Sequence, residues 1–139
     1  VYSNSEYLYI HIISDSHYCK RINNNISWVN GKFIISKPKK ITDKDLDNKN
    51  VFICSKKAYD HGLFVRKWFN GDKIVTSNNQ TKLISNLFNE FKLLPFIRSI
   101  KPIIIQDDTV QWIPGVTIGQ NNYLLDNNPI RIEWHETRE

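Results

Sequence analysis

Residues 63–115 contain three segments in order: LFVRKWFNGDKI (63–74), TKLISNLFNEFKLLPFIRSIKP (81–102) and VQWIPG (110–115). The first segment predicts a strand over Leu63–Phe69, because aromatic and β-branched residues are frequent in strands. The period of two in a strand places Phe64, Arg66 and Trp68 on one face. Asn70–Asp72 is typical of a turn, so we expect the chain to reverse there.

The second segment predicts one main amphipathic helix that begins at Asn79 or Thr81 and ends near Leu93, where Pro95 closes it. Its apolar stripe is formed by Leu83, Ile84, Leu87, Phe88 and Phe91. Lys82 then lies in the first helical turn, where the macrodipole disfavours a lysine by about 0.3–1 kcal/mol. A phosphate at that N-terminus would reverse the sign, and an exposed lysine tolerated at small cost is the alternative.

The third segment is interpreted as part of the fold rather than as a ligand site. Trp112 is predicted to pack on the helix face that carries Phe88. Pro114-Gly115 then turns the strand.

The rest of the chain predicts an α+β fold with a mostly antiparallel sheet and a β-rich N-terminal half. The clearest hairpin spans Ser27–Ser36, where Asn30-Gly31 is typical of a type I′ turn. The other expected elements are strands over 7–13, 51–55 and 130–134, a hairpin of 103–106 with 110–113 across Asp107-Asp108, a helical turn over 96–99 and a surface loop over 37–50. We divide the chain into a β-rich N-terminal lobe, residues 1–58, and an α+β domain, residues 59–139.

Length and composition indicate a globular chain that needs no disulfide or metal to fold. With 139 residues, 40% of them hydrophobic, it is long enough for one domain or for one domain with a small lobe. No apolar run approaches the roughly 18 residues that span a bilayer, and no signal peptide is recognisable, so we expect a cytoplasmic protein without a membrane partner. The chain begins at Val1 and contains no methionine, so we expect a piece of a longer protein.

Positive charge is concentrated toward the N-terminal side of the chain. Residues 1–101 hold 17 Lys or Arg and 8 Asp or Glu, whereas residues 102–139 hold 2 and 6. A basic body favours a polyanionic partner such as nucleic acid. The alternative is a composition bias, because richness in Lys, Asn and Ile is typical of an AT-rich genome.

A central basic set supplies the candidate RNA contacts: Arg66, Lys67, Lys82, Lys92, Arg98 and Lys101. Arg66 lies between Phe64 and Trp68 on the predicted strand, which suits stacking of its guanidinium on an indole or a base. The alternative places both rings in the core and Arg66 at the rim.

Arg98 is constrained on both sides by prolines. Pro95 precedes it and Pro102 follows it, an arrangement that suits a positioned phosphate contact. A structural ion pair with Glu90 or Asp72 is the alternative.

Metal and nucleophile chemistry fit the sequence poorly. Asp43, Asp45 and Asp47 mimic the start of a calcium loop, but the sixth and twelfth positions lack the required glycine and glutamate. No pair among the histidines and the two cysteines has zinc-finger spacing. Cys54 lies in an apolar strand, so we expect a buried structural thiol rather than a nucleophile paired with His61.

These segments together resemble the C-terminal domain of the bacterial tRNA(Ile)-lysidine synthase family. Its members carry Leu-x-Val-Arg-x-x-x-x-Gly-Asp, a lysine opening Lys-Leu-x-x-x-Phe, then Pro-x-x-x-Arg-x-x-x-Pro and Trp-x-Pro-Gly. The matching residues are Leu63, Val65, Arg66, Gly71, Asp72, Lys82, Leu83, Leu87, Phe88, Arg98, Pro102, Trp112, Pro114 and Gly115. The match covers residues 60–118. Many relatives have proline in place of Asn70, and lysines ahead of the helix where this chain has residues 77–81.

The resemblance implies the tRNA-binding C-terminal part of a ligase that attaches lysine to the wobble cytidine of the AUA-reading isoleucine tRNA. It implies that Arg66, Lys82 and Arg98 contact the acceptor end of that tRNA. ATP and Mg would belong to a separate N-terminal ATP-pyrophosphatase domain, whose phosphate loop has no counterpart here. We therefore expect no catalytic residue, cofactor or metal in this chain, and no activity of the chain alone. The expected partners are tRNA and the rest of the synthase, and homodimerisation is left open.

Two other functions compete with this interpretation. The first is an interaction domain whose Phe64 and Trp68 dock on other parts of the parent chain, with incidental positive charge. The second is a small enzyme that uses Cys54 or a carboxylate pair.

Overall fold

The computed structural model of the chain describes residues 19–119 and 127–137, so the predicted strand over 7–13 lies outside the described residues. The strands are β1 (Cys19–Arg21), β2 (Ile26–Trp28), β3 (Gly31–Ser36), β4 (Val51–Cys54), β5 (Phe64–Lys67), β6 (Lys73–Val75), β7 (Thr81–Leu83), β8 (Pro102–Gln106), β9 (Thr109–Ile113), β10 (Thr117–Ile118) and β11 (Ile130–Glu136). The helices are α1 (Asp43–Asp47), α2 (Lys56–His61), α3 (Ile84–Glu90) and α4 (Pro95–Ile100).

These strands form two sheets. The larger sheet has the order β1-β5-β8-β9-β6-β7, with β10 paired to β9, and the smaller sheet has the order β2-β3-β11-β4. Among the described strands, β6 and β9 pair in parallel and the other pairs are antiparallel. The predicted α+β class with mostly antiparallel strands is confirmed.

Two strands lie in sheets built mainly by the other half of the chain. β1 pairs with β5 of the larger sheet, and β11 lies between β3 and β4 of the smaller sheet. The division into residues 1–58 and 59–139 stays a prediction, and both sheets draw strands from each side of it.

The β2–β3 hairpin forms where it was predicted, but its turn differs. Trp28 pairs with Gly31, so Val29 and Asn30 are the loop residues, and neither has a positive φ. The predicted type I′ turn at Asn30-Gly31 is therefore wrong. Gly31 is needed instead because a Cβ there would collide with the Trp134 ring and lie 2.5 Å from the His135 carbonyl oxygen.

The β8–β9 hairpin confirms the predicted Asp107-Asp108 turn. Asp107 has φ 50° and Asp108 has φ 62°, which are the two positive angles of a type I′ turn. Aspartate tolerates this conformation better than other residues with a Cβ, except asparagine. The predicted strands over 51–55 and 130–134 and the predicted turn of helix over 96–99 correspond to β4, β11 and α4.

The predicted surface loop over residues 37–50 contains a short helix, α1. Thr42 caps it by accepting a hydrogen bond from the Asp45 amide, while the Asp45 carboxylate accepts one from the Thr42 amide. This reciprocal capping box satisfies backbone donors that a helix start leaves unpaired. The Asp45 carboxylate also binds the Arg131 guanidinium of β11 at 3.2 Å. The hydrogen bond from the Thr42 amide is the largest cause that lowers the pKa of Asp45 below its usual value, and the bonds to the Thr42 side chain and to Arg131 add to it.

The main helix, α3, is shorter than predicted. Thr81–Leu83 forms β7, which pairs with β6, and the helix begins at Ile84. Lys92 then adopts φ 54° and the Leu93 amide bonds to the Phe88 carbonyl, so the helix ends before Pro95. Pro95 instead occupies the first turn of α4, where its missing N–H costs nothing.

Two apolar clusters hold the fold together. The first lies between the sheets and includes Phe33, Phe52, Ile132 and Trp134 of the smaller sheet with Val65, Ile104 and Trp112 of the larger. The second packs α3 on the larger sheet and includes Ile84, Leu87 and Phe88 with Ile74, Ile103 and Ile105. Of the predicted helical stripe, Leu83 and Phe91 are left 36% and 43% exposed.

Trp112 belongs to the first cluster, so its predicted packing on Phe88 is wrong. Its ring lies 5.8 Å from Phe33 and 5.6 Å from Phe52, whereas Phe88 meets Trp68 edge to face at 5.1 Å. A β-bulge causes the difference: Ile104 pairs with Trp112 and Ile105 with Val110, which leaves an extra residue on β9. The bulge interrupts the alternation of faces and sends Trp112 toward the smaller sheet.

Candidate nucleic-acid interface

Arg66 is engaged by a carboxylate of its own chain. Its two terminal nitrogens donate to the Asp72 carboxylate at 2.9 and 3.0 Å, and both side chains are less than one-fifth exposed. The guanidinium also lies over the Phe69 ring at 5.0 Å and donates to the Lys67 carbonyl. Arg66 therefore stacks on Phe69 rather than between Phe64 and Trp68, and it holds the turn after β5.

Asp72 completes this local network. Its carboxylate also accepts a hydrogen bond from the Phe69 amide, and its carbonyl accepts one from the Ile84 amide at the start of α3. The Asn70–Asp72 turn predicted from the sequence is confirmed, with Gly71 at φ 98°. Through this hydrogen bond, the turn that follows β5 also holds the start of α3 in place.

Arg98 lies on α4 and takes part in backbone contacts. Its Nε donates to the Leu93 carbonyl at 2.7 Å, and its own carbonyl accepts a hydrogen bond from the Trp68 indole at 2.8 Å. Among the described residues it forms no ion pair with Glu90 or Asp72. Arg98 is half-buried.

Three lysines of the predicted set reach the surface. Lys67 is half-buried at the end of β5, Lys82 is half-buried on β7 opposite Ile74, and Lys92 is exposed after α3. Lys82 lies on β7, two residues before α3 begins at Ile84, and not in the first helical turn as predicted. Lys92 lies at a helix C-terminus, where a cation is favoured.

Lys101 differs from the other members because it is buried, with 7% of its surface exposed. Burial lowers the pKa of its ammonium group, and the Glu136 carboxylate partly opposes that shift. Lys101 lines a cavity of about 460 Å³ together with Asn30, Phe96 and Glu136. The Asn30 Oδ1 atom is buried there and has no hydrogen-bond partner among the described residues.

A cleft that the sequence did not predict lies at the end of β3. One hollow, of about 590 Å³, is lined by Asn23, Asn24, Asn25, Ile35, Ser36, Lys37, Tyr59 and Ile130. The adjoining hollow, of about 450 Å³, is lined by Lys37, Pro38, Lys39, Lys56, Asn127, Asn128, Pro129 and Ile130. We call these two hollows the asparagine–lysine cleft. The lysine-rich run 37–40 and the Asn23–Asn25 run were the signals that could have indicated it.

The groups considered for metal or thiol chemistry are dispersed. Cys54 is buried and Cys19 is exposed, and neither forms a disulfide within the described part of the chain. His61 binds the Asp107 carboxylate at 2.9 Å on the surface. No group of three or more potential metal ligands comes together within residues 19–119 and 127–137.

No family model matches the sequence, and no curated protein matches it. Among solved structures, the crystal structure of a TilS C-terminal domain superposes with a TM-score of 0.76 at 17% identity, covering 88% of this chain and 98% of that chain. This chain has the TilS C-terminal fold. The likeness to TilS extends well beyond residues 60–118, where the sequence motifs were found, and it supports the resemblance inferred from them.

The TilS C-terminal fold includes part of the chain that the motifs left unassigned. Because the match covers 88% of this chain, it takes in strands of both sheets described above. Within the described residues, no helix is long and apolar enough to cross a membrane.

Proposed function

We propose that this chain is the tRNA-binding C-terminal part of a tRNA(Ile)-lysidine synthase. It grips the acceptor end of the AUA-reading isoleucine tRNA in the cytoplasm, so that a separate ATP-pyrophosphatase domain can attach lysine to the wobble cytidine. ATP and Mg act in that other domain, and this chain alone performs no ligation. The observation that carries the proposal is the match to nearly the full length of the TilS C-terminal domain, joined to the motifs at Arg66, Lys82 and Arg98.

The surface lysines supply the physical means. Lys67, Lys82 and Lys92 form no ion pair with the described residues, so their charge remains available to phosphates. Lysine contacts to phosphate position an RNA without reading its bases. Recognition would then depend on RNA shape and on contacts to 2′-hydroxyl groups or to the RNA end.

Arg66 and Lys101 have other primary roles in this proposal. Arg66 is paired with Asp72, so it shapes the turn that presents Lys67. Lys101 is buried, so we do not expect its ammonium group to contact a phosphate directly. Arg98 is half-buried and contacts RNA in this proposal.

Binding of the chain to a minor isoleucine tRNA transcript across a KCl series tests the proposal. We expect the logarithm of affinity to fall linearly with the logarithm of salt, by about 0.7–0.9 per phosphate contact. Lys82→Ala with Lys92→Ala should weaken binding and reduce that slope. The matched control is Lys44→Ala with Lys57→Ala, which removes the same charge from exposed positions elsewhere. Equal affinity of both double variants at every salt concentration would refute the assignment of these lysines, and absence of tRNA binding by the wild type would refute the function.

A docking role within the parent chain is the second candidate. Large apolar side chains are exposed near the same elements: Phe64, Phe69, Leu83, Phe91 and Leu94. An apolar interface would barely respond to salt, so the same KCl series separates the two functions.

A further inference from the structure

The asparagine–lysine cleft lies on the side of the smaller sheet, apart from the motif residues of β5 and α4. It is built by four separate parts of the chain: the loop of Asn23–Asn25, the end of β3 with the residues up to 39, α2 with Lys56 and Tyr59, and residues 127–130 at the start of β11. Lys37 and Ile130 line both hollows, so the two hollows adjoin.

Charge in the cleft has one sign. Lys37, Lys39 and Lys56 line it, and none of its described lining residues is acidic. Lys56 is paired with the Asp60 carboxylate at 2.6 Å, and both side chains are about half exposed, so an anion in the cleft would compete with Asp60 for this lysine. Concave surfaces lined by one sign of charge concentrate counter-ions, so the cleft favours an anionic ligand that spans both hollows.

The remaining lining groups form hydrogen bonds rather than apolar contacts. Asn25 uses its Oδ1 to accept a hydrogen bond from the Ile35 amide at 2.8 Å, which fixes the loop against β3 and leaves Asn23 and Asn24 exposed. Carboxamides offer both donors and acceptors, as nucleobase edges and ribose hydroxyls require. Burial raises the pKa of the Tyr59 hydroxyl, with smaller contributions from Cys54 and Asp60, so this group keeps its proton and can donate.

The volume of the hollows limits the size of the anionic group that each can hold. Each hollow falls within the range of about 300–1,000 Å³ that holds small-molecule ligands, so each admits a nucleotide-sized group. A double helix is convex and hides its base edges, whereas an unpaired strand can insert single nucleotides and expose those edges. We propose that the asparagine–lysine cleft binds a single-stranded stretch of RNA, with the lysines on phosphates and the asparagine amides and Tyr59 on riboses and bases. The proposal rests on the RNA-binding function inferred above and adds a second contact surface to it.

Fluorescence anisotropy with a short, labelled single-stranded RNA of mixed sequence tests this cleft, using the full 139-residue chain. The variant is Lys37→Ala with Lys39→Ala and Lys56→Ala. We expect its affinity for the single strand to fall, and the slope of log affinity against log salt to decrease by about 1.4 to 2, since each phosphate contact to a single strand contributes about 0.7 and Lys56 is already paired with Asp60. The matched control is Lys44→Ala with Lys57→Ala and Lys73→Ala, exposed lysines outside the cleft that leave the same net charge.

A second variant separates hydrogen bonding from charge. Asn23→Ala with Asn24→Ala should lower the affinity for the single strand and leave the salt slope unchanged, because amides neutralise no phosphate. A blunt-ended RNA duplex of equal length should bind the wild type and the cleft variants equally, because it does not enter the cleft.

The outcomes distinguish this inference from the proposed function. If the triple lysine variant binds the single strand with wild-type affinity and slope, the cleft assignment is overturned, while salt-dependent tRNA binding that depends on Lys82 and Lys92 would keep the proposed function. If the control triple variant loses as much affinity as the cleft variant, net charge explains the binding and the cleft assignment is again overturned. If the wild type binds neither tRNA nor the single strand, both proposals fail.

Discussion

At the scale of single residues, the Arg66–Asp72 pair contributes most to the shape of the candidate interface. It combines a two-point ion pair, a ring contact to Phe69 and two backbone hydrogen bonds within one turn. Bidentate pairs of arginine and carboxylate are among the stronger polar contacts in proteins. This pair therefore acts first on stability and only through the turn on binding.

Replacing Asp72 by alanine should destabilise the chain by about 1–3 kcal/mol, because it leaves a largely buried guanidinium without its partner. Urea unfolding monitored by tryptophan fluorescence measures the change. The matched control is Asp60→Ala, which breaks the half-exposed pair with Lys56 and should cost about 0–1 kcal/mol. An Asp72→Ala variant as stable as the control would show that solvent screens the Arg66 pair.

The sequence indicated both members of this pair but not their partnership. The sequence leaves Glu90 and Asp72 as alternative ion-pair partners of Arg98. The bond to Arg66 depends on how tightly the chain turns at Asn70–Gly71, which spacing along the chain does not determine. Lys101 was likewise placed among surface contacts, because its burial depends on elements far along the sequence, such as β11.

At the scale of elements, the start of α3 is where the structure differs most clearly from the sequence prediction. The apolar positions 83, 84, 87 and 88 fit a helix, so the sequence extended α3 back to Thr81. Thr81–Leu83 instead pairs with Lys73–Val75 as a strand. Strand pairing is favoured over a longer helix because it satisfies backbone N–H and C=O groups, whereas the start of a helix without a side-chain cap leaves N–H groups unpaired. The Asp107-Asp108 turn was predictable because its chemistry is local, whereas the β7 pairing is not.

Gly31 shows the same difference at a hairpin. Substitution by alanine should destabilise the chain by about 1–3 kcal/mol, because the new Cβ meets Trp134 and the His135 carbonyl of β11. Thermal or urea unfolding checks the prediction, with Ser27→Ala on β2 as the control, expected to stay within about 0.5 kcal/mol of wild type. A neutral Gly31→Ala would mean that β11 can move away from β3 at little cost.

At the scale of the whole molecule, the two cysteines differ in exposure, so their reactivity can distinguish the folded chain from the unfolded chain. Cys54 is 1% exposed in the cluster between the sheets, and Cys19 is exposed on β1 at the edge of the larger sheet. The sequence predicted the buried Cys54 from its apolar strand. The asparagine run and the lysine run that line the asparagine–lysine cleft are visible in the sequence, but their meeting is not, because that surface forms only when β3, α2 and β11 come together.

Thiol labelling of the native chain should therefore modify Cys19 and leave Cys54 protected until the chain unfolds. The Cys19 residue is exposed, but partial desolvation of its thiol raises its pKa, with the Arg66 charge opposing, so the thiolate fraction at neutral pH is small and the labelling rate should still be rising as pH passes the usual thiol pKa. Mass spectrometry of the labelled peptides across pH and urea measures both effects. Rapid native labelling of Cys54 would contradict the packed core between the sheets, and would revive the enzyme hypothesis built on that thiol.

The position of β11 also sets an order of assembly. β3 and β4 do not pair with each other, and each pairs with β11, which comes near the end of the sequence. During synthesis, residues 31–36 and 51–54 emerge long before residues 130–136, so two apolar strands must wait with unpaired edges until their common neighbour arrives. The smaller sheet is therefore a late product of folding. Until β11 has been synthesised and has paired with β3 and β4, the nascent chain is most prone to aggregate through these strand edges.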